Sequence, residues 1–297
     1  MGRFFFPALV GAAIFASLGL SGRRLSHQIA ESDLDAAAAL VRESFAQGDL
    51  VVVEPPYMVG PRQRLGDLPL IEPHKLVPED LVGVTRVRLV SLDVIGAQPD
   101  LAVMLDHLGS LEADQAFGGV TVRTYVLAST TRVALDLRAV VKDLRVTVRY
   151  ADGVEAACSI WDRDRWTCPR DPSWSYVGRE TLNIDSEARD CVWMHPVPAT
   201  GVLRIELPVV EGVRLTGLAG GLGFALEAAN RVKSPVHVAI WVGNELVLTR
   251  DHAPGVEWER FNEPLLSSAQ PIRIEVSTKD NGASHFCMGL KLLTVAP

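Results

Sequence analysis

The sequence predicts a small α/β unit followed by an antiparallel β-sandwich of jelly-roll type, both behind an apolar N-terminal segment. Three observations carry this. Residues 27–128 alternate amphipathic helical stretches with short apolar runs, the pattern of a small, mostly parallel sheet covered by helices. Residues 132–297 show short segments of period-two alternation parted by turns such as "ADG", "GN" and "DNG", with no amphipathic helix between them. The aromatics divide in the same way: all six tryptophans and all four cysteines follow residue 150.

The N-terminal segment, residues 1–22, reads "MGRFFFPALVGAAIFASLGLSG" and carries no charge from Phe4 to Leu20. Its length falls between the h-region of a signal peptide, about 7–15 residues, and the roughly 20 of a spanning helix. The first reading is an uncleaved single anchor. The alternative is a signal cleaved near the small residues Ser17 and Gly19. Arg23 and Arg24 weigh against export under the positive-inside tendency, yet either reading leaves the bulk outside the cytoplasm. The expected location is the inner membrane, single-pass, with the bulk in the periplasm, or secretion after cleavage.

In the α/β unit, "SDLDAAAALVRESFAQGD" predicts a helix capped by Ser32, with Asp35 at the capping-box position and Leu34, Ala37, Ala38, Val41 and Phe45 on one stripe. Gly48 is expected to end it. "LVVVEPP" is a short buried strand, "VTRVRLVSLD" a second and "GGVTVRTYVLA" a third, with the helix "QPDLAVMLDHLG" between the last two, Pro99 near its first turn. In the sandwich, "VALDLRAVV", "DLRVTVRY", "GVLRIELPVV", "VHVAIWVGNELVLTR", "PIRIEVST" and "SHFCMGLKLL" are the clearest strands.

Four cysteines in an exported chain predict two disulfides. Cys158 and Cys168 flank "SIWDRDRWT". A hairpin about Asp162-Arg163-Asp164 sets them opposite each other. Cys191 and Cys287 remain, each in a strand-like segment. Joining them closes a long loop, worth roughly 4–5 kcal/mol in the chain-entropy model. Four buried free thiols are the alternative.

The stretches "SDLDAAAALVRESFAQGDLVVVEPP", "VTRVRLVSLD" and "AFGGVTVRTYVL" resemble the soluble extracytoplasmic tail of GT-C-type polytopic membrane glycosyltransferases. That resemblance implies a structural relationship only. Those enzymes hold their catalytic aspartates in multi-spanning membrane domains, and this chain has at most one span, so no catalytic residue maps. The runs "SPVHVAIWVGNELVLTRDHAPGVEWERF" and "PIRIEVSTKDNGASHFCMGLKLL" are similar to galactose-binding-like jelly rolls, which implies a fold without a defined ligand.

The candidate site is the stretch "CSIWDRDRWTCPRDPSWSY". Trp166, Trp174 and Tyr176 are candidate stacking surfaces for a sugar, and Arg163 and Arg165 candidate donors to its hydroxyl or acidic groups. Under the expected register Trp161 and Trp166 lie one step off opposite and face opposite ways. Against this stands the reading that tryptophans fill a sandwich core beside a disulfide. Asp162 and Asp164 match a metal-holding D-x-D pattern but fall on a turn. "GLAGGLG" at 217–223 lacks the following helix of a phosphate loop and reads as a corner between strands.

No metal-ligand spacing, cofactor fingerprint or nucleophile elbow is present. A net charge of −7 excludes an electrostatic footprint for nucleic acid. The expectation is a membrane-tethered, non-enzymatic binding or scaffold protein of envelope glycan assembly, its partners a glycan and a polytopic glycosyltransferase. The alternative is a secreted glycan-modifying hydrolase or transferase with its site between the two domains.

Overall fold

The computed structural model describes residues 29–56, 58–72, 76–92, 99–128, 131–170, 175–184, 186–197, 201–255, 257–266 and 271–295. The expected anchor, residues 1–22, lies outside them. Among the described residues no helix is long and apolar enough to cross a membrane.

The N-terminal region runs α1 (Glu31–Ser44), β1 (Asp49–Glu54), α2 (Val59–Leu65), β2 (Leu70–Glu72), a 3₁₀ turn (Pro78–Leu81), β3 (Arg86–Leu92), α3 (Pro99–Leu108), β4 (Gly109–Phe117) and β5 (Val120–Leu127). β1 lies between β2 and β3 and is parallel to both. It is buried along its whole length, which is why it reads as an unbroken aliphatic run. Its neighbours pack in two layers, one under α1 and α2 and one under α3. β3–β5 and β5–β4 are antiparallel, so the sheet is mixed rather than mostly parallel. β4 escaped the sequence pattern because it is an edge strand with exposed positions on both faces.

Two local expectations change. Ser32 sits inside the first turn of α1 and does not cap it; Ala30 holds the N-cap position with no side-chain bond. Glu31 and Asp33 instead bring negative charge to that helix end. α1 stops at Ser44, and Gly48 serves the turn into β1. Its φ is +90°, and a Cβ there would lie 2.9 Å from Thr85 Oγ1.

The remainder is an antiparallel sandwich consistent with a jelly roll. Its strands are β6 (Thr131–Asp136), β7 (Arg145–Arg149), β8 (Glu155–Ala157), β9 (Ile160–Asp162), β10 (Arg165–Thr167), β11 (Tyr176–Ile184), β12 (Glu187–Met194), β13 (Val202–Glu206), β14 (Leu215–Phe224), β15 (Val236–Val242), β16 (Glu245–His252), β17 (Glu259–Pro264), β18 (Ile272–Thr278) and β19 (Phe286–Val295). A short helix, α4 (Leu226–Ala229), follows β14. One layer has the order β16-β15-β18-β13-β7-β8. The other holds β17-β14-β19, then β12 with β11, β10 and β9 beyond it. Alternate side chains such as Ile205, Ile240, Ile274, Leu218 and Phe286 meet between the layers.

Both disulfides form, Cys158–Cys168 and Cys191–Cys287. The second layer continues past the sandwich. Ala188 and Arg189 of β12 pair with Glu72 and Ile71 of β2, so the N-terminal sheet and one sandwich layer share a single hydrogen-bonded sheet.

The glycines at 217–223 form the interior of β14, not a corner. Gly221 and Gly223 are the bare floor on which the Trp258 indole lies: a Cβ on Gly221 would meet it at 2.3 Å, one on Gly223 at 3.0 Å. A strand that must lose its side chains to admit an aromatic ring loses its alternation too.

Candidate functional site

The sheet forks where its two parts meet. β12 keeps β11 along one edge for its whole length. Its other edge divides: Val192 and Trp193 pair with Met288 and Cys287 of β19, while Ala188 and Arg189 pair with β2. β19 divides likewise and passes from β12 to β6, with Lys291 opposite Asp136. The Cys191–Cys287 bridge ties β12 to β19 beside their last shared pairs.

Backbone carbonyls released at a buried fork need other donors. Leu137 N–H donates to Leu290 O at 2.9 Å. Arg138 Nη1 reaches Asp190 O at 3.4 Å, Lys291 Nζ reaches Val82 O at 3.3 Å, and Arg179 Nη2 reaches Gly66 O at 3.3 Å. The fork is therefore filled by cations, and the cations gather carboxylates. Arg138 bridges Asp136 (Nε to Oδ1, 2.9 Å) and Asp190 (Nη1 to Oδ2, 3.4 Å). Arg179 takes Asp190 with two bonds, 2.7 and 3.1 Å. On the far side Asp80 receives Arg260 through two bonds of 2.8 and 2.9 Å and Arg189 at 2.9 Å.

Burial opposes the charge on Asp136, but the Arg138 guanidinium outweighs it and holds the carboxyl below its usual range. Asp190 goes the other way: burial raises it, and Arg138 and Arg179 recover only part of the shift. Burial, followed by Arg138, lowers the Lys291 ammonium to about 8. Among the described residues Lys291 makes no ion pair within 4.0 Å, although Asp136 and Asp190 lie in the same cleft.

Three connected spaces open around this cluster. A smaller arm of about 380 Å³ is lined by Phe45, Leu50, Leu68, Val84 and Val133 and by Asp136, Arg138, Arg179, Asp190 and Lys291. A slot of about 80 Å³ lies between Asp80, Arg189, Lys291 and Trp258. An open arm of about 730 Å³ is bounded by Arg138, Arg179, Glu180, Thr181 and Asp190, and on its rim by Trp161 and Asp164.

That rim is the stapled hairpin. Its turn has two residues, Arg163 (φ 49°) and Asp164 (φ 59°), not three. Asp162 pairs with Arg165 and Trp161 with Trp166, so it is the tryptophans that stand directly opposite and the cysteines that sit one step off. The two indoles therefore share a face, 5.0 Å apart at 58°, instead of pointing opposite ways. Both pack half-buried against the sandwich core.

Of the residues singled out in the sequence, Trp166 gives its indole N–H to Val141 O at 2.8 Å. Arg165 lies over the Tyr176 ring at 4.4 Å. Tyr176 stacks on Trp193 at 5.4 Å and donates its hydroxyl to Glu180 Oε1 at 2.7 Å. Burial, then Glu180, raises the phenol. Arg163 is exposed at the tip beside Asp162. Trp174 lies outside the described residues. The structure thus brings Arg165 and Tyr176 together and leaves Arg163 apart. Sequence reasoning missed Asp136, Arg138, Asp190 and Lys291, which arrive from three strands and a turn and share no local spacing.

No family model and no curated protein matches the chain, so the likeness of its N-terminal half to GT-C tails rests on the quoted motifs alone. Solved structures that resemble it include the tandem CBM51 modules of Sp3GH98, the family 98 glycoside hydrolase from Streptococcus pneumoniae SP3-BS71, at 12% identity over 61% of this chain and 57% of that one, TM-score 0.35. CBM51-2 in complex with GlcNAc and INT domains from Clostridium perfringens ZmpB aligns at 15% identity over 62% of this chain and 46% of that one, TM-score 0.32. CBM51 from Clostridium perfringens GH95 in complex with methyl-galactose aligns at 15% identity over 50% and 80%, TM-score 0.26. This chain spans about half the length of the first two. Likeness at this level carries neither fold nor function; the architecture stands on its own strand order.

Proposed function

We propose that the protein binds a glycan in the open arm of the cleft, beneath the stapled hairpin. The observation that carries this is the chemistry of that arm: a half-buried indole, Trp161, on the rim of a cavity of about 730 Å³ floored by Arg179, Arg138, Asp190 and Glu180. Sugars present an apolar ring face and adjacent hydroxyls that both donate and accept. An indole suits the first. Guanidinium and carboxylate groups already held in place by each other suit the second and lose little freedom on binding. Two disulfides favour an exported protein. On this reading the protein is tethered by residues 1–22 to the inner membrane, or secreted after their removal, and serves envelope glycan assembly beside a polytopic glycosyltransferase.

One observation favours a second reading, a glycan-modifying enzyme. Asp136 and Asp190 share the Arg138 guanidinium yet shift in opposite directions, as acid and base partners do.

Isothermal titration against a panel of soluble envelope polysaccharide fragments tests the first reading. Trp161→Ala is expected to weaken the best ligand at least tenfold. Thr181→Trp, which fills the same arm from the exposed end of β11, abolishes binding and keeps the melting temperature. Glycan affinity untouched by both variants, or absent in the parent chain, overturns it. Loss of intact glycan on prolonged incubation, stopped by Asp190→Asn, would decide for the enzyme.

A further inference from the structure

The smaller arm differs from the open one in kind. Much of its wall is hydrocarbon, from Phe45, Leu50, Leu68, Pro69, Val84 and Val133, and its charges are those of the ion-pair cluster with Asp49 and Asp67. At about 380 Å³ it is more than twice the size of the roughly 150 Å³ apolar cavity that takes up benzene. Among the described residues these charges cancel in pairs, with one left over. Asp67 is held by Arg42, Asp49 by Arg88, and Asp136 and Asp190 by Arg138 and Arg179. Lys291 remains, its ammonium donating, among the described residues, to the Val82 carbonyl alone.

We infer that the smaller arm binds a small amphipathic carboxylate, its hydrocarbon body against the Phe45–Val133 wall and its carboxylate on Lys291 Nζ. A half-buried cation without a counter-ion is costly, and an anion that brings its own apolar body repays that cost while covering the wall. Lys291 is well placed for this. It stands opposite Asp136 across the β19–β6 pair, yet both Asp136 oxygens are taken by Arg138. The lowered affinity of Lys291 for its proton, near 8, agrees with a site that lacks its anion. The other charged groups that share its pockets are Asp136 and Arg138, Asp49 of β1, Asp67, Arg179 of β11, Asp80 and Glu79 of the 3₁₀ turn, and Arg189 and Asp190 of β12. Carboxylates and guanidiniums titrate far from pH 8, so a change in affinity there belongs to Lys291. The inference uses neither Trp161 nor the hairpin and stands apart from the glycan reading.

Calorimetric titration of the full chain with octanoate, 1-octanol and octylamine tests it. At pH 7 octanoate is expected to bind at least tenfold more tightly than octanol, with octylamine weakest. The preference for octanoate should fade between pH 8 and 9.5 as the amine loses its proton. Lys291→Gln, which can still donate to Val82, erases the preference. Val133→Phe fills the wall without touching Lys291 and removes both octanoate and octanol. Octanoate that does not bind, or binds no better than octanol, overturns the inference, as does a preference that survives Lys291→Gln or pH 9.5. Should Lys291→Gln fail to fold, the pH series and Val133→Phe decide alone.

Discussion

The two parts of the shared sheet are stabilised by different means. Residues 49–127 form strands covered on both faces by helices, with aliphatic cores on each side and no disulfide. Residues 131–295 close a second layer over the first, use large rings such as Phe224, Phe286 and Trp258, and add both disulfides. Between them, among the described residues, two residue pairs of β2 and β12 continue the ladder. Ion pairs of Asp80 with Arg189 and Arg260, and the bonds of Lys291 to Val82 O and Arg179 to Gly66 O, also cross the seam. Apolar residues of the N-terminal cores, Leu50 and Val84 among them, line one side of the seam and buried charges line the other, so the cavity there has walls of both kinds.

Breaking the covalent closure should have the largest effect. Chain entropy assigns about 4.7 kcal/mol to a loop the size of that closed by Cys191–Cys287 and about 3 kcal/mol to one the size of the Cys158–Cys168 staple. Serine replacement of each pair, followed by guanidinium unfolding, measures both. Equal losses would mean that the long bridge closes nothing the sheet had not already closed.

The seam comes next. Asp80→Ala takes one of two carboxylates from buried Arg189, leaving Glu187, and removes the carboxylate that holds Arg260, at a cost of about 3 kcal/mol. Scanning calorimetry should then show the N-terminal strands melting ahead of the sandwich. A single unshifted transition would mean that the β2–β12 pairs hold the seam alone.

The smallest of the three effects separates the parts by pH. Burial lowers the His195 imidazole to about 4. The unfolded chain protonates this group from about pH 6.5 downward and the folded one does not. The unfolded state therefore binds more protons in that window, and stability falls with pH, by on the order of 2 kcal/mol at pH 5. NMR titration that finds His195 protonating near its ordinary value would remove this difference.

What could be read from the sequence was whatever repeats along the chain. β18 alternates buried and half-exposed residues without a break, β1 is aliphatic throughout, and Cys158 and Cys168 are near in sequence. The hairpin register slipped by one because Arg163 and Asp164 both adopt positive φ, which shortens the turn and which neither residue advertises as Asn-Gly would. β14 misled for the opposite reason, since its glycines record the shape of Trp258, a residue that follows the strand only after β15 and β16. The cleft left no local trace: Asp136, Arg138, Asp190 and Lys291 become neighbours only because β12 and β19 part company.

β19 has a consequence for how the chain acquires its shape. It pairs with β6, β12 and β14, strands that precede it by up to some 150 residues, and it is the strand through which they join. A ribosome releases all three before it makes their common partner. Until β19 arrives, β14 and β12 present bare edges, open to pairing with another chain, and Cys191 waits without its mate. Such contacts are slow to form and prone to intermolecular error. The Cys191–Cys287 bridge, likewise, closes only after synthesis is nearly done. A nascent chain arrested before residue 286 should be protease-sensitive throughout the sandwich, while residues 31–127, whose pairings are nearly all internal, already resist.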